Sequence, residues 1–196
     1  MSDDTFLAEL RAREEIRDAM ARYARGIDRR DEALVRSAYH PDSVDEHGFG
    51  LAGSGWDIAA LVRRDGNGFP DEVIASTHFL GQHLIEVDGE RATSEVYFLA
   101  TMRSVGGPDG VALDQISAGR YLDRWERRDG EFKIAQRTVV YDWLRTDPVT
   151  TPWPGPDHDV PKMIYGGPEL DASGSVYGVA GPEDRSYALL RDRVAG

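Results

Sequence analysis

The chain of 196 residues contains no cysteine. That absence excludes disulfides, thiolate nucleophiles and cysteine-ligated metals together. Basic residues are also few, with 23 Lys and Arg against 35 Asp and Glu, for a net charge of −12. No Lys/Arg-rich run stands out, so a nucleic acid would meet repulsion rather than counterion release, and none is expected as a partner. No apolar stretch approaches the roughly 20 residues that cross a bilayer, so no membrane partner is expected either. The opening segment carries Asp3 and Asp4 and lacks the apolar centre of a signal peptide, which makes a cytoplasmic protein the expectation. No Gly-x-Ser-x-Gly elbow occurs, and no phosphate-cradling glycine loop follows a strand.

What is present is the composition of a globular domain, 40% hydrophobic and 30% charged. The length suits one domain with a sizeable core. Phe6, Leu10, Ile16, Met20, Tyr23 and Ile27 recur at three- and four-residue steps, apart from one longer gap, and predict an amphipathic helix over residues 4–29. Asp28 falls four residues after Ala24 and eight after Met20, so it points with the apolar stripe. A short helix is predicted over residues 31–39, with Asp31 as its cap and Pro41 beyond its end. A third fits residues 55–64.

From residue 76 the period changes. Residues 76–87 and 91–103 are strand-like and flank Asp88 and Gly89, and residues 114–127 and 132–144 repeat the pattern around Asp129 and Gly130. A further short strand fits residues 43–49. Helices followed by two hairpins indicate an α+β fold with one antiparallel sheet. Residues 1–146 are assigned to this domain. Residues 147–196 hold seven of the ten prolines and read as a loop-rich arm that covers the pocket or embraces a neighbouring subunit.

Four segments carry a resemblance: 23–31 (YARGIDRRD), 39–44 (YHPDSV), 77–79 (THF) and 121–133 (YLDRWERRDGEFK). In this order and spacing they resemble the SnoaL-like branch of the nuclear transport factor 2-like superfamily. The resemblance implies a conical barrel, with N-terminal helices packed on a curved antiparallel sheet around a deep pocket. Within that superfamily the chain is most similar to the scytalone dehydratase, hexachlorocyclohexane dehydrochlorinase and bile-acid 7α-dehydratase group. Those enzymes need no cofactor and use an Asp–His pair. Asp28 matches the acid after the first helix, His78 the histidine early in the first long strand, and Tyr23 the tyrosine five residues before the acid. Arg137 matches a pocket arginine. The histidine or aspartate that some dehydratases carry on the second long strand has no evident counterpart, and Glu95, Tyr97 and Thr101 are the polar residues there.

In such a pocket His78 would act as general base, with Asp28 holding its tautomer and stabilising the imidazolium. Tyr23 is either a proton donor or core filling. Arg137 alternates with Ala135 and Val139; facing inward it would bind an anionic oxygen, facing outward it would form a surface or interface ion pair. Tyr39, Trp56, Phe79 and Tyr97 are expected to contact substrate. His83 is one residue out of phase with His78 and is expected on the opposite face. His40 and His47, with Asp42, Asp45 and Glu46, match no closed ligand set and read as a solvated loop. Asp157, His158 and Asp159 are equally weak, and neither metal nor cofactor is expected.

The resulting expectation is a lyase acting on a hydrophobic aromatic or polycyclic small molecule. Dehydration by β-elimination comes first. A carbon–carbon lyase releasing formaldehyde from a lignin-derived diaryl alcohol would use the same parts. The alternatives are an isomerase like ketosteroid isomerase or the polyketide cyclases, and a non-catalytic binding or assembly subunit. A homo-oligomer is expected, with a trimer favoured.

Overall fold

A computed structural model describes residues 2–63, 73–105, 110–149 and 178–191. Helix α1 (Asp3–Arg29) starts at Ser2, whose hydroxyl accepts the Thr5 N–H, and stops where Arg30 turns left-handed at φ 53°. Ala12, Ile16, Ala19, Met20, Tyr23 and Ile27 form its buried stripe, while Phe6 and Leu10 near its start are exposed. Helix α2 (Glu32–Ser37) is capped by the Asp31 side chain, which accepts the Leu34 N–H. It lies so close to α1 that a Cβ on Gly26 would come 2.7 Å from the Val35 side chain. Helix α3 (Gly55–Ala60) begins with a reciprocal Ser54–Asp57 capping box. Both short helices end earlier than their periodicity predicts. After α2 the chain is already extended at Tyr39, the first residue of a strand.

That strand, β1 (Tyr39–Gly48), is followed by β2 (Leu51–Gly53), β3 (Val73–Asp88), β4 (Arg91–Ser104), β5 (Leu113–Arg128) and β6 (Glu131–Pro148). The sheet order is β2-β1-β6-β5-β4-β3. Both predicted hairpins form, β3 with β4 and β5 with β6. The sheet is nevertheless mixed rather than antiparallel, because β1 runs parallel to β6 with Asp45 opposite Arg137. No hairpin joins these two strands, so no turn forces them to be antiparallel. The sheet curves through bulges between Leu80 and His83, Ala118 and Gly119, and Arg124 and Trp125. It does not close into the expected barrel; β2 and β3 remain its two edges.

The concave face holds the core against α1, with Val96, Phe98, Tyr121, Trp125, Phe132 and Ile134 buried there. On the other face, Phe79, Leu99, Ala118 and Trp143 stand opposite one another across four strands. Phe79, Leu99 and Trp143 in that row are exposed. The C-terminal segment returns to α1 through helix α4 (Arg185–Arg191). Arg25 donates to the Ser186 hydroxyl at 2.9 Å, and the Tyr187 hydroxyl donates to Asp31 at 2.7 Å. Residues 150–177 and 192–196 of the proposed arm, including Asp157, His158 and Asp159, lie outside the described residues. No described helix is long and apolar enough to cross a membrane.

Candidate active site

Asp28 occupies the last turn of α1, where the negative end of the helix dipole opposes a carboxylate. Its partners come from β3. One oxygen lies 2.7 Å from His78 Nδ1 and accepts the Ser76 hydroxyl at 3.0 Å, and the other accepts the His78 backbone N–H at 2.9 Å. Burial by itself would raise the Asp28 pKa, but the His78 and Ser76 hydrogen bonds and the His78 charge hold it below the ordinary value. A carboxylate at Nδ1 favours a proton on that nitrogen, so in the neutral ring Nε2 is the one with the lone pair. Ala180 of the C-terminal segment lines a narrow crevice beside Asp28 and Ser76.

His78 opens onto a cavity of about 70 Å³ between α1, α3 and the sheet. Tyr23, Phe98, Tyr121 and Tyr141 supply its aromatic walls, and His47 and Ser117 join His78 as polar lining. The cavity is small, of a size for the reacting end of a substrate. The bulge at Gly119 helps shape this wall. A Cβ there would overlap the Val140 carbonyl oxygen.

Tyr23 therefore has both of its anticipated characters. It lines the cavity, yet it is buried and packs edge-on against Tyr39 and Tyr121 at centroid distances of 5.9 and 5.7 Å. Burial pushes its phenol well above the ordinary value, against the opposing pull of Arg137. It is a protonated phenol at any ordinary pH.

The expected substrate contacts are placed differently. Arg137 faces inward but is fully buried, with the rings of Tyr23 and Tyr121 stacked on it at 4.3 and 4.2 Å. Its guanidinium grips Asp123 through two N–H donors at 2.7 and 2.8 Å and donates to the Tyr39 hydroxyl at 3.0 Å. Burial opposes the Arg137 charge, but the Asp123 carboxylate outweighs it and holds the guanidinium protonated. With its donors committed beneath the two tyrosines, Arg137 supports the site rather than binding substrate. Tyr39 is buried in the same network and donates to Asp45 at 2.6 Å. Phe79 and Tyr97 alternate with His78 and Phe98 and lie on the exposed face of the sheet. Trp56 is partly exposed beneath the Arg36 guanidinium, 4.7 Å from its ring centre.

Two histidine readings also change. The bulge after Leu80 restores His83 to the inner side, beside Ile85, although it faces Arg17 and Asp123 rather than the cavity. His47 is not on a solvated loop. It is on β1, lines the cavity, and sits 3.2 Å from the buried Asp45 through Nδ1. Alternation along β1 puts Ser43, Asp45 and His47 on one face of the strand. His40 is structural, bonded to the Glu126 carbonyl at 2.9 Å. Among the described residues, no group of three or more His, Asp and Glu is arranged to hold a metal ion.

The sequence profile of the SnoaL-like domain matches residues 8–138. The chain belongs to the SnoaL-like family. No curated protein matches it significantly. Among solved structures, this SnoaL-like chain is similar to a hexachlorocyclohexane dehydrochlorinase, LinA type 2, at 20% identity and a TM-score of 0.64, over 78% of this chain and 99% of that one. A LinA type 3 dehydrochlorinase from Novosphingobium barchaimii gives 22% identity and 0.61, over 79% and 98%. A candidate scytalone dehydratase from Novosphingobium aromaticivorans gives 20% and 0.58, over 82% and 100%. At these identities the likeness establishes the shared nuclear transport factor 2-like fold.

Proposed function

We propose that the protein is a cytoplasmic, cofactor-independent lyase that removes water from a hydrophobic, oxygenated small molecule by β-elimination. The observation that carries this reading is the Asp28–His78 contact at the wall of an aromatic-lined cavity. His78 Nε2 would take a proton from carbon next to a carbonyl, and Asp28 would stabilise the imidazolium that forms. Tyr23, a permanent phenol on the same wall, would hydrogen-bond the developing oxyanion. The similarity to dehydrochlorinase and dehydratase structures supports an elimination. The small cavity suits the reacting end of a substrate, with the remainder extending outward.

The test uses the aldol adduct of benzaldehyde and acetone, a β-hydroxy ketone whose dehydration gives a conjugated, absorbing enone. His78→Ala should lower its turnover by about two to four orders of magnitude. Near-normal turnover by that variant overturns the reading. A product lighter by one water identifies elimination, whereas a product of unchanged mass makes the enzyme an isomerase. The proposal includes a homotrimer, supported by the exposed apolar row of Phe79, Leu99 and Trp143 on the outer sheet face. Light scattering that finds a monomer at micromolar concentration overturns that part.

A further inference from the structure

The cavity has a second imidazole with a carboxylate of its own. His47 and His78 both line it, one carried by β1 and the other by β3, strands at opposite sides of the sheet order. Asp45 lies 3.2 Å from His47 Nδ1, is fully buried, and also accepts the Tyr39 hydroxyl. The His47 carbonyl is held by the Tyr141 hydroxyl at 3.2 Å, and Tyr141 is itself a cavity wall. The ring is therefore fixed at both backbone and side chain, unlike a loop histidine.

Charge separates the two imidazoles. The buried Asp123–Arg137–Tyr39–Asp45 chain holds two carboxylates against one guanidinium, so one acid is in excess, and two N–H contacts of Arg137 go to Asp123 rather than Asp45. Asp28 also carries a negative charge, but three donors share it and its side chain is 13% exposed, against 0% for Asp45. An uncompensated carboxylate costs more at the drier position. Asp45 therefore gains more than Asp28 from a positively charged neighbour, and His47 is the side chain that reaches it from the cavity.

We infer that His47 is a second catalytic residue, the acid that protonates the departing oxygen while His78 acts as base. The inference rests on the lyase reading above. The step balances. His78 Nε2 takes the Cα proton, the C–H electron pair becomes the C=C bond, and the Cβ–O bond breaks with its pair on oxygen. That oxygen takes the Nε2 proton of His47 and leaves as water. The enzyme ends with the proton on His78 and resets by exchange with solvent.

Two probes separate the roles. The benzaldehyde–acetone adduct expels hydroxide, which needs a proton, whereas nitrobenzisoxazole ring-opening expels a stabilised phenolate, which needs none. His47→Gln should lower turnover of the adduct at least about a hundredfold and leave nitrobenzisoxazole within about threefold. His78→Gln should lower both. Equal losses for both probes in His47→Gln, or no loss for either, overturn the role of His47. Unchanged rates in His78→Gln overturn the lyase reading instead. If His47→Gln does not fold, nitrogen NMR of the wild-type protein decides. At the pH where the pair holds one ionising proton, that proton should be on His47; finding it on His78 overturns the inference.

Discussion

The carboxylate of Asp28 holds His78 at two points, the ring Nδ1 at 2.7 Å and the backbone N–H at 2.9 Å. The double contact fixes the ring and the strand that carries it to the end of α1. Asp28→Asn keeps the shape and removes the charge that would stabilise an imidazolium. We expect kcat on the benzaldehyde–acetone adduct to fall by about two to four orders of magnitude with little change in KM. Steady-state kinetics on the folded variant check this, and an unchanged kcat would remove Asp28 from the chemistry.

Acid should weaken the fold through the same carboxylate. The folded pKa values of Asp28 and Asp45 both lie below the ordinary 3.8, because hydrogen bonds and nearby positive charge outweigh burial. Their stabilisation is therefore complete above that ordinary value and is lost as pH falls through the lower folded values. Melting temperatures measured from about pH 5 down to about pH 2 should fall steeply for wild type and less steeply for Asp28→Asn. Parallel curves would show that Asp28 is not coupled to folding.

The Asp123–Arg137 pair predicts a strong non-additivity. Asp123→Asn leaves a guanidinium buried without its counter-ion and should cost about 3–5 kcal/mol. Replacing both partners, Asp123→Leu with Arg137→Met, should cost less than that single change, since neither charge is then stranded. Urea unfolding of Asp123→Leu, Arg137→Met and the double measures the coupling. A double mutant as destabilised as the sum of the singles contradicts the account.

Gly119 marks the point where β5 and β6 change register, and a Cβ there would overlap the Val140 carbonyl oxygen. The obstacle is backbone, which cannot rotate away. Gly119→Ala should destabilise by about 1–3 kcal/mol and shift the neighbouring cavity residue Tyr141. Denaturant unfolding together with the Tyr141 ring signals by NMR test both effects.

Much of the fold is legible locally. The α1 stripe, the Asp31 cap and the two Asp-Gly hairpins each follow from neighbours within a few residues. Asp28 was readable because an acid on an apolar stripe is conspicuous. β1 was harder to read, because its inward residues Ser43, Asp45 and His47 are polar while Val44 faces out. That reverses the usual binary pattern, so the segment looks solvated until its partners are known. Alternation counted from His78 puts His83 on the outer face, but a bulge, which has no compositional signature here, resets the alternation after Leu80.

By itself, then, the sequence determined which stretches are helix or strand and which faces are apolar, since periodicity acts over a turn or two. It also singled out Asp28 and His78 as residues worth pairing. Only the tertiary structure decided that β1 runs parallel to β6, that Arg137 is committed to Asp123, and that His47 shares a cavity with His78. The reason is one of range. The Tyr39–Arg137 hydrogen bond joins residues 98 positions apart, and whether a buried polar group is support or catalyst depends on partners that no local pattern specifies.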